Sequence, residues 1–245
     1  MATNLAHLQL NLDNVFKKNH MSLVDRLTQQ AYASARIERK FSIHPGQEIW
    51  LLKHIFRAGF VKAHPNRKVT SIYFDTQSLS FCMDNINGVR DRVKFRYRFY
   101  NDSLLDGVLE AKLKNGFIGF KKSYSVIDGL TIKFFGSDIK LLDTDQISYF
   151  IRDKFQIILR PASTVSYQRS YFEHPAGMRL TMDKNISSFP CTRIGRGSIR
   201  SNQNPVMEIK YPPKLDSYIR TYIFPFFESL SIRATKSSKY VNSII

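Results

Sequence analysis

Apolar and charged residues alternate one by one through residues 92–99, RVKFRYRF. This period of two predicts a β-strand, whose successive side chains point to opposite faces. Arg92, Lys94, Arg96 and Arg98 share one face, and Val93, Phe95, Tyr97 and Phe99 share the other. The pattern recurs in RIERKF (36–41), VTSIYFD (69–75), GVLEAKLK (107–114), GFKKSYSV (119–126), TVSYQRSYF (164–172), MRLTMD (178–183) and VMEIKY (206–211). Together these predict about eight strands. The turn signals Asn115-Gly116 and HPAG (174–177) make neighbouring strands antiparallel. Helical spacing appears in HPGQEIWLLKHIFRAG (44–59), where Ile49, Leu52, Ile55 and Phe56 recur apolar and Trp50 reads as a core anchor. Two further helices are expected over 138–155 and 214–230, the second interrupted by Pro225. Residues 1–34 read as a loosely periodic helical lead-in, and 192–205 as a basic loop.

Charge changes the meaning of the strand pattern. Lys and Arg number 37 against 20 Asp and Glu, for a net charge of +17. A polyanionic partner is implied. A sheet with one solvated face needs only polar residues there, whereas here cations recur on strand after strand. If the sheet curls into a barrel, the charged face lines its lumen and the apolar face packs under helices. Such a lumen calls for a polyphosphate-like anion, with the scattered Glu residues available for a divalent metal. Nucleic acid fits less well as the main partner, because the aromatics face away from the cations and offer no stacking platform. Cys82 and Cys191 form no framework, the six histidines show no metal-ligand spacing, and no apolar run approaches the ~18 residues of a membrane span. With no signal-peptide pattern at the N-terminus, a cytoplasmic location is expected.

The motifs RIERKF, SIYFDT, KFRYR, LEAKLK, SYQRSYF, MRLTMD, VMEIKY and KSSKY follow one another in the order of the VTC domain. The chain resembles this polyphosphate polymerase module of the vacuolar transporter chaperone family over about residues 35–241. The resemblance implies an α+β fold: an eight-stranded antiparallel closed tunnel of the triphosphate tunnel type, flanked by helices, over residues 35–245. It also implies an ATP-dependent transferase that extends inorganic polyphosphate, with Mn²⁺ or Mg²⁺ as cofactor. Lys239, Arg96 and Arg98 are then the catalytic candidates, and Glu208 the metal ligand. Lys40, Lys112, Lys121 (or its neighbour Lys122), Tyr167, Arg169, Arg179, Lys236 and Ser238 are the candidates for holding phosphate or nucleotide. Lys236 and Lys239 are expected on one helical face. Arg36 stands where the wider superfamily often has the first Glu of Glu-x-Glu-x-Lys, which points away from thiamine triphosphatases and adenylate cyclases.

Three functions remain open at this level: the polymerase, a tunnel triphosphatase or polyphosphatase, and a non-catalytic polyphosphate binder. Retention of Glu208 and Lys239 speaks against the binder. Asp75, Glu38 and Glu110 each read equally as structural partners or metal ligands. ATP and polyphosphate are the expected partners, with room for a membrane-protein partner.

Overall fold

The computed structural model describes residues 36–115, 118–125, 144–191 and 199–245. The lead-in expected over 1–34 therefore lies outside the described residues, as do the tip of the Asn115-Gly116 turn, residues 138–143 of an expected helix and residues 192–198 of the basic loop, whose other half includes a short strand at Arg200–Asn202. Among the described residues the strands are β1 (Ile37–Ser42), β2 (Val61–Asp75), β3 (Asp91–Tyr100), β4 (Ser103–Asn115), β5 (Ile118–Ser125), β6 (Arg160–Glu173), β7 (Arg179–Pro190), β8 (Arg200–Asn202) and β9 (Val206–Tyr211). They form one sheet in the order β1-β9-β7-β6-β2-β3-β4-β5, with β8 pairing β7 at the side. Every ladder is antiparallel.

The expected closed tunnel is not seen as a continuous ladder. The sheet ends at β1 and β5, and no ladder joins these edges among the described residues. The sheet is nonetheless strongly curled. In a flat sheet β1 and β4 would lie roughly 29 Å apart, six strand spacings. Instead Lys112 Nζ of β4 reaches Glu38 Oε2 of β1 at 3.2 Å. A right-handed twist accumulated over long strands brings the ends round in this way. Ala234 forms a bridge to Phe41, and Thr235 N–H donates to the Lys40 carbonyl, so the C-terminal segment runs along β1.

Apolar side chains hold the curl from both sides. On the outer face, Val93, Phe95, Tyr97 and Phe99 of β3 and Leu109, Ala111 and Leu113 of β4 pack under α3 (Thr144–Phe155) through Ile147 and Ile151. The other half is covered by α1 (Glu48–Arg57) through Leu51 and Ile55, together with Ile219, Ile223 and Phe227. Those last residues belong to a helical stretch that starts at Asp216–Tyr218, widens to a π-helix over Ile219–Ile223 and ends as α4 (Phe224–Ser229). The expected break at Pro225 is thus a change of helix type: Pro225 has no N–H to donate to the turn before it, and the helix widens to π just ahead of it. Trp50 is not a core anchor. It is 62% exposed, and Ile49 and Phe56 of the expected apolar face are exposed beside it.

The inner face is closed at one end by α5 (Lys239–Ile244), whose Tyr240 and Val241 pack on Val69, Tyr73, Val165, Tyr167 and Val206. Asp75 fastens this plug. Its carboxylate accepts the N–H groups of Thr76, Phe81 and Cys82 at 2.7, 3.0 and 2.9 Å, and the hydroxyl of Tyr240. Phe81 and Cys82 lie in the first turn of α2 (Ser80–Ile86), whose N-terminal residue Leu79 has no capping side chain. Asp75 therefore satisfies orphan donors from a distance and is a structural residue. Asp75→Ala is expected to cost about 2–4 kcal/mol, because it strands several buried donors at once. Urea unfolding measures this, and a loss no larger than a surface substitution would contradict the latch.

Candidate functional site

Among the described residues three clusters of charge line the inner face, each set by strand register. In the first, Arg96 of β3 lies opposite Glu110 of β4 and Tyr73 of β2. Arg96 Nε and Nη2 both reach Glu110 Oε2, at 2.7 and 2.6 Å. Arg98 is buried and donates to Ser71 Oγ at 3.1 Å and Tyr167 Oη at 3.0 Å. Lys121 Nζ reaches Glu110 Oε1 at 2.8 Å, which identifies Lys121 as the inward member of the Lys121–Lys122 pair. Burial disfavours charge on Glu110, but Arg96, Arg98 and Lys121 outweigh it and hold the carboxyl at about 2.

The second cluster joins β1, β9 and β4. Lys40 pairs in register with Glu208, and Glu38 with Lys210. Lys210 Nζ lies 2.8 Å from Glu208 and 3.6 Å from Glu38, while Lys40 Nζ lies 3.7 and 3.3 Å from the same two carboxylates. Glu38 is thus an ion-pair partner for lysines on three strands. Burial would raise the Glu208 carboxyl, yet Lys210, Lys40, Lys112 and Arg169 hold it well below the usual range. Burial lowers the Lys112 ammonium to about 8 despite Glu38 and Glu208 nearby.

The third cluster lies at the plugged end. Arg169 of β6 pairs with Asp183 of β7 through two parallel bonds of 2.6 and 2.7 Å. Lys239, the first residue of α5, reaches Asp183 Oδ2 at 2.6 Å and sits over the Tyr167 ring. Ser238 caps α5, its hydroxyl accepting from Val241 N–H and also from Lys94 Nζ at 3.0 Å. Two predicted residues stay apart from these clusters. Lys236 is exposed and precedes α5, so it does not share a helical face with Lys239. Arg179 lies on the inward side of β7, opposite Lys210, but is exposed at the first residue of the strand.

Several site residues were not singled out from sequence. Lys94, Lys210 and Asp183 all lie on charged faces of the alternating strands, so that pattern already contained them. Lys94 matters most, because it forms no ion pair among the described residues while Lys40, Lys112, Arg92 and Arg96 surround it. Burial and these like charges lower its ammonium to about 7. An anion bound here would restore the charge, so Lys94 is protonated on binding above pH 7. Affinity for tripolyphosphate is therefore expected to fall as pH rises through 7 and 8, with net proton uptake at pH 8. Titration calorimetry in two buffers of different ionisation enthalpy measures that uptake. It should shrink in Lys94→Met, and an unchanged value would contradict the assignment.

The chemistry of the cluster around Glu208 fits a divalent metal of limited kind. Thr181 faces Glu208 in register, and its Oγ1 is buried without a hydrogen-bond partner among the described residues. Among the described residues no three His, Cys, Asp or Glu side chains gather as a metal cage. Glu208 with Thr181 thus suits a hard cation that takes its remaining ligands from phosphate and water, the habit of Mg²⁺.

A curled antiparallel sheet with a cation-rich inner face and a helical plug presents a surface chemically suited to a polyanion. Residues 35–245 match the VTC domain, and the chain belongs to that family. A search of curated proteins gave no match. Among solved structures, a candidate adenylate cyclase from Vibrio parahaemolyticus is similar at 10% identity and TM-score 0.49, over 85% of this chain and 98% of that one. HpAC1 from Hippeastrum, reported with a dominant triphosphatase activity, is similar at 14% identity and TM-score 0.45, over 84% and 93%. The PH1819 protein of Pyrococcus horikoshii follows at 11% identity and TM-score 0.44, over 83% and 94%. At these scores the likenesses add nothing to the family match. Among the described residues no helix is long and apolar enough to cross a membrane.

Proposed function

We propose that the domain is a polyphosphate polymerase working inside a tunnel-like lumen. A terminal oxygen of the growing polyphosphate attacks the γ-phosphorus of ATP, the bond from that phosphorus to the β–γ bridging oxygen breaks, and ADP leaves. Phosphoryl transfer of this kind rests on positioning and on neutralising charge on nonbridging oxygens. Arg96, with its planar fork, and Lys40, Lys94 and Lys112, as point charges, suit the phosphate chain. Lys239 and Arg169, which share Asp183 near the plug, are the groups proposed to meet the transferring phosphoryl, with Arg98, which donates to Ser71 and Tyr167, beside them. A metal ion at Glu208, when bound, supplies further positive charge to phosphate oxygens.

One observation favours transfer to phosphate over transfer to water. Among the described residues the inward carboxylates Glu38, Glu110, Asp183 and Glu208 are all tied to cations, which hold each below its usual range against burial. Carboxylates held this way are poor general bases, and hydrolysis profits from a base that activates water. A polyphosphate terminus is already anionic and needs none. The test is to incubate the purified protein with ATP and Mn²⁺ and separate the products. Long-chain polyphosphate with ADP supports the polymerase, whereas orthophosphate with no chain product would make the domain a hydrolase.

A further inference from the structure

The outer face of α1 carries an arrangement that the lumen does not use. Ile49, Trp50 and Phe56 are exposed by 77, 62 and 50%. With 100° per residue, these three and the exposed cations Lys53 and Arg57 fall on a roughly 120° arc of the helix. Isolated exposed apolar residues are ordinary, but three large ones on one arc are a patch. The opposite side is firmly seated: Leu51 and Ile55 are in the core, and His54 stacks on Phe226 of α4. Glu48, the acidic residue of α1, turns aside to pair with Lys184. Lys53 lies over the Trp50 ring at 5.7 Å, so the charged groups presented with the apolar ones are all cationic.

We propose that this face of α1 docks on an anionic lipid bilayer. Apolar and aromatic side chains enter the boundary between headgroups and acyl chains, while Lys53 and Arg57 remain at the level of lipid phosphates and carboxylates. The net charge of +17 draws the protein to such a surface. A second copy of the chain is a poorer occupant, because a two-fold contact through this face would set Lys53 and Arg57 against their own counterparts.

Trp50 is the single tryptophan of the chain and reports on this face directly. The experiment titrates the protein with phosphatidylcholine vesicles, with and without roughly one-third phosphatidylserine. The expected result is a shift of Trp50 emission to shorter wavelength, and quenching by acyl-brominated lipid, on the anionic vesicles alone. The double variant Ile49→Ser/Phe56→Ser removes two half- or more-exposed groups. Because the Phe56 ring also lies edge-on to Phe172, Ile49→Ser alone is measured beside it and should weaken binding in the same direction. The double variant should bind at least about tenfold more weakly, from the apolar surface it no longer buries. Sedimentation with vesicles while Trp50 emission stays unchanged would overturn the proposal, since the basic body would then be adsorbing elsewhere. A shift that grows with protein concentration in the absence of vesicles would overturn it in favour of self-association.

Discussion

Lys239→Ala is expected to lower turnover by about 10²-fold, the usual effect of losing one preorganised charge-stabilising donor. The plug places Lys239 Nζ between Asp183 and the Tyr167 ring, so the ammonium is held in position before substrate arrives. The fold should survive the change, because Arg169 still satisfies both oxygens of the buried Asp183. Apparent affinity for ATP should change less than turnover, since the other inward cations remain. Lys236→Ala, by contrast, removes an exposed charge outside α5 and should only weaken binding. ADP release and chain formation at saturating ATP measure both variants. Full activity in Lys239→Ala would reduce the lysine to a structural partner of Asp183.

Glu208→Gln should have an effect at least as large on metal-dependent turnover, about 10²–10³-fold, which corresponds to the several kcal/mol that a metal ion contributes to phosphoryl transfer. The sign of its effect on binding is opposite. Glu208 offsets Lys40, Lys112 and Lys210, so removing its charge leaves the lumen more positive. Affinity for tripolyphosphate measured in chelator should therefore hold or rise while activity collapses. A parallel loss of both would indicate a damaged fold, and unchanged Mn²⁺ dependence would remove Glu208 from the metal site.

The strands were legible because a period of two leaves little choice, and the charged side read as inward because it recurred along the chain. VMEIKY coincides with β9, and RVKFRYRF lies wholly within β3. Closure was not legible. It depends on whether edge strands far apart in sequence meet in register, and here side chains from β1 and β4 meet with no ladder between the edges among the described residues. Individual ion pairs were equally hidden. A bulge between Ser166 and Gln168 sets which residue of β7 faces Arg169, and no local pattern encodes that offset. The exposure of Trp50 is not legible because α1 is apolar on two arcs, and packing against the sheet and α4 decides which one is buried. The separation of Lys236 from Lys239 is equally hidden, because a spacing of three joins residues only within a helix, and α5 starts after its cap at Ser238.

The most direct test is a crystal structure with tripolyphosphate and Mn²⁺, with manganese located by its anomalous scattering. The account predicts phosphates on the inner face, in contact with Lys40, Lys94 and Arg96, and a manganese peak at the Glu208 carboxylate. Tripolyphosphate on the outer surface, with the ion pairs of the inner face unchanged, would contradict it.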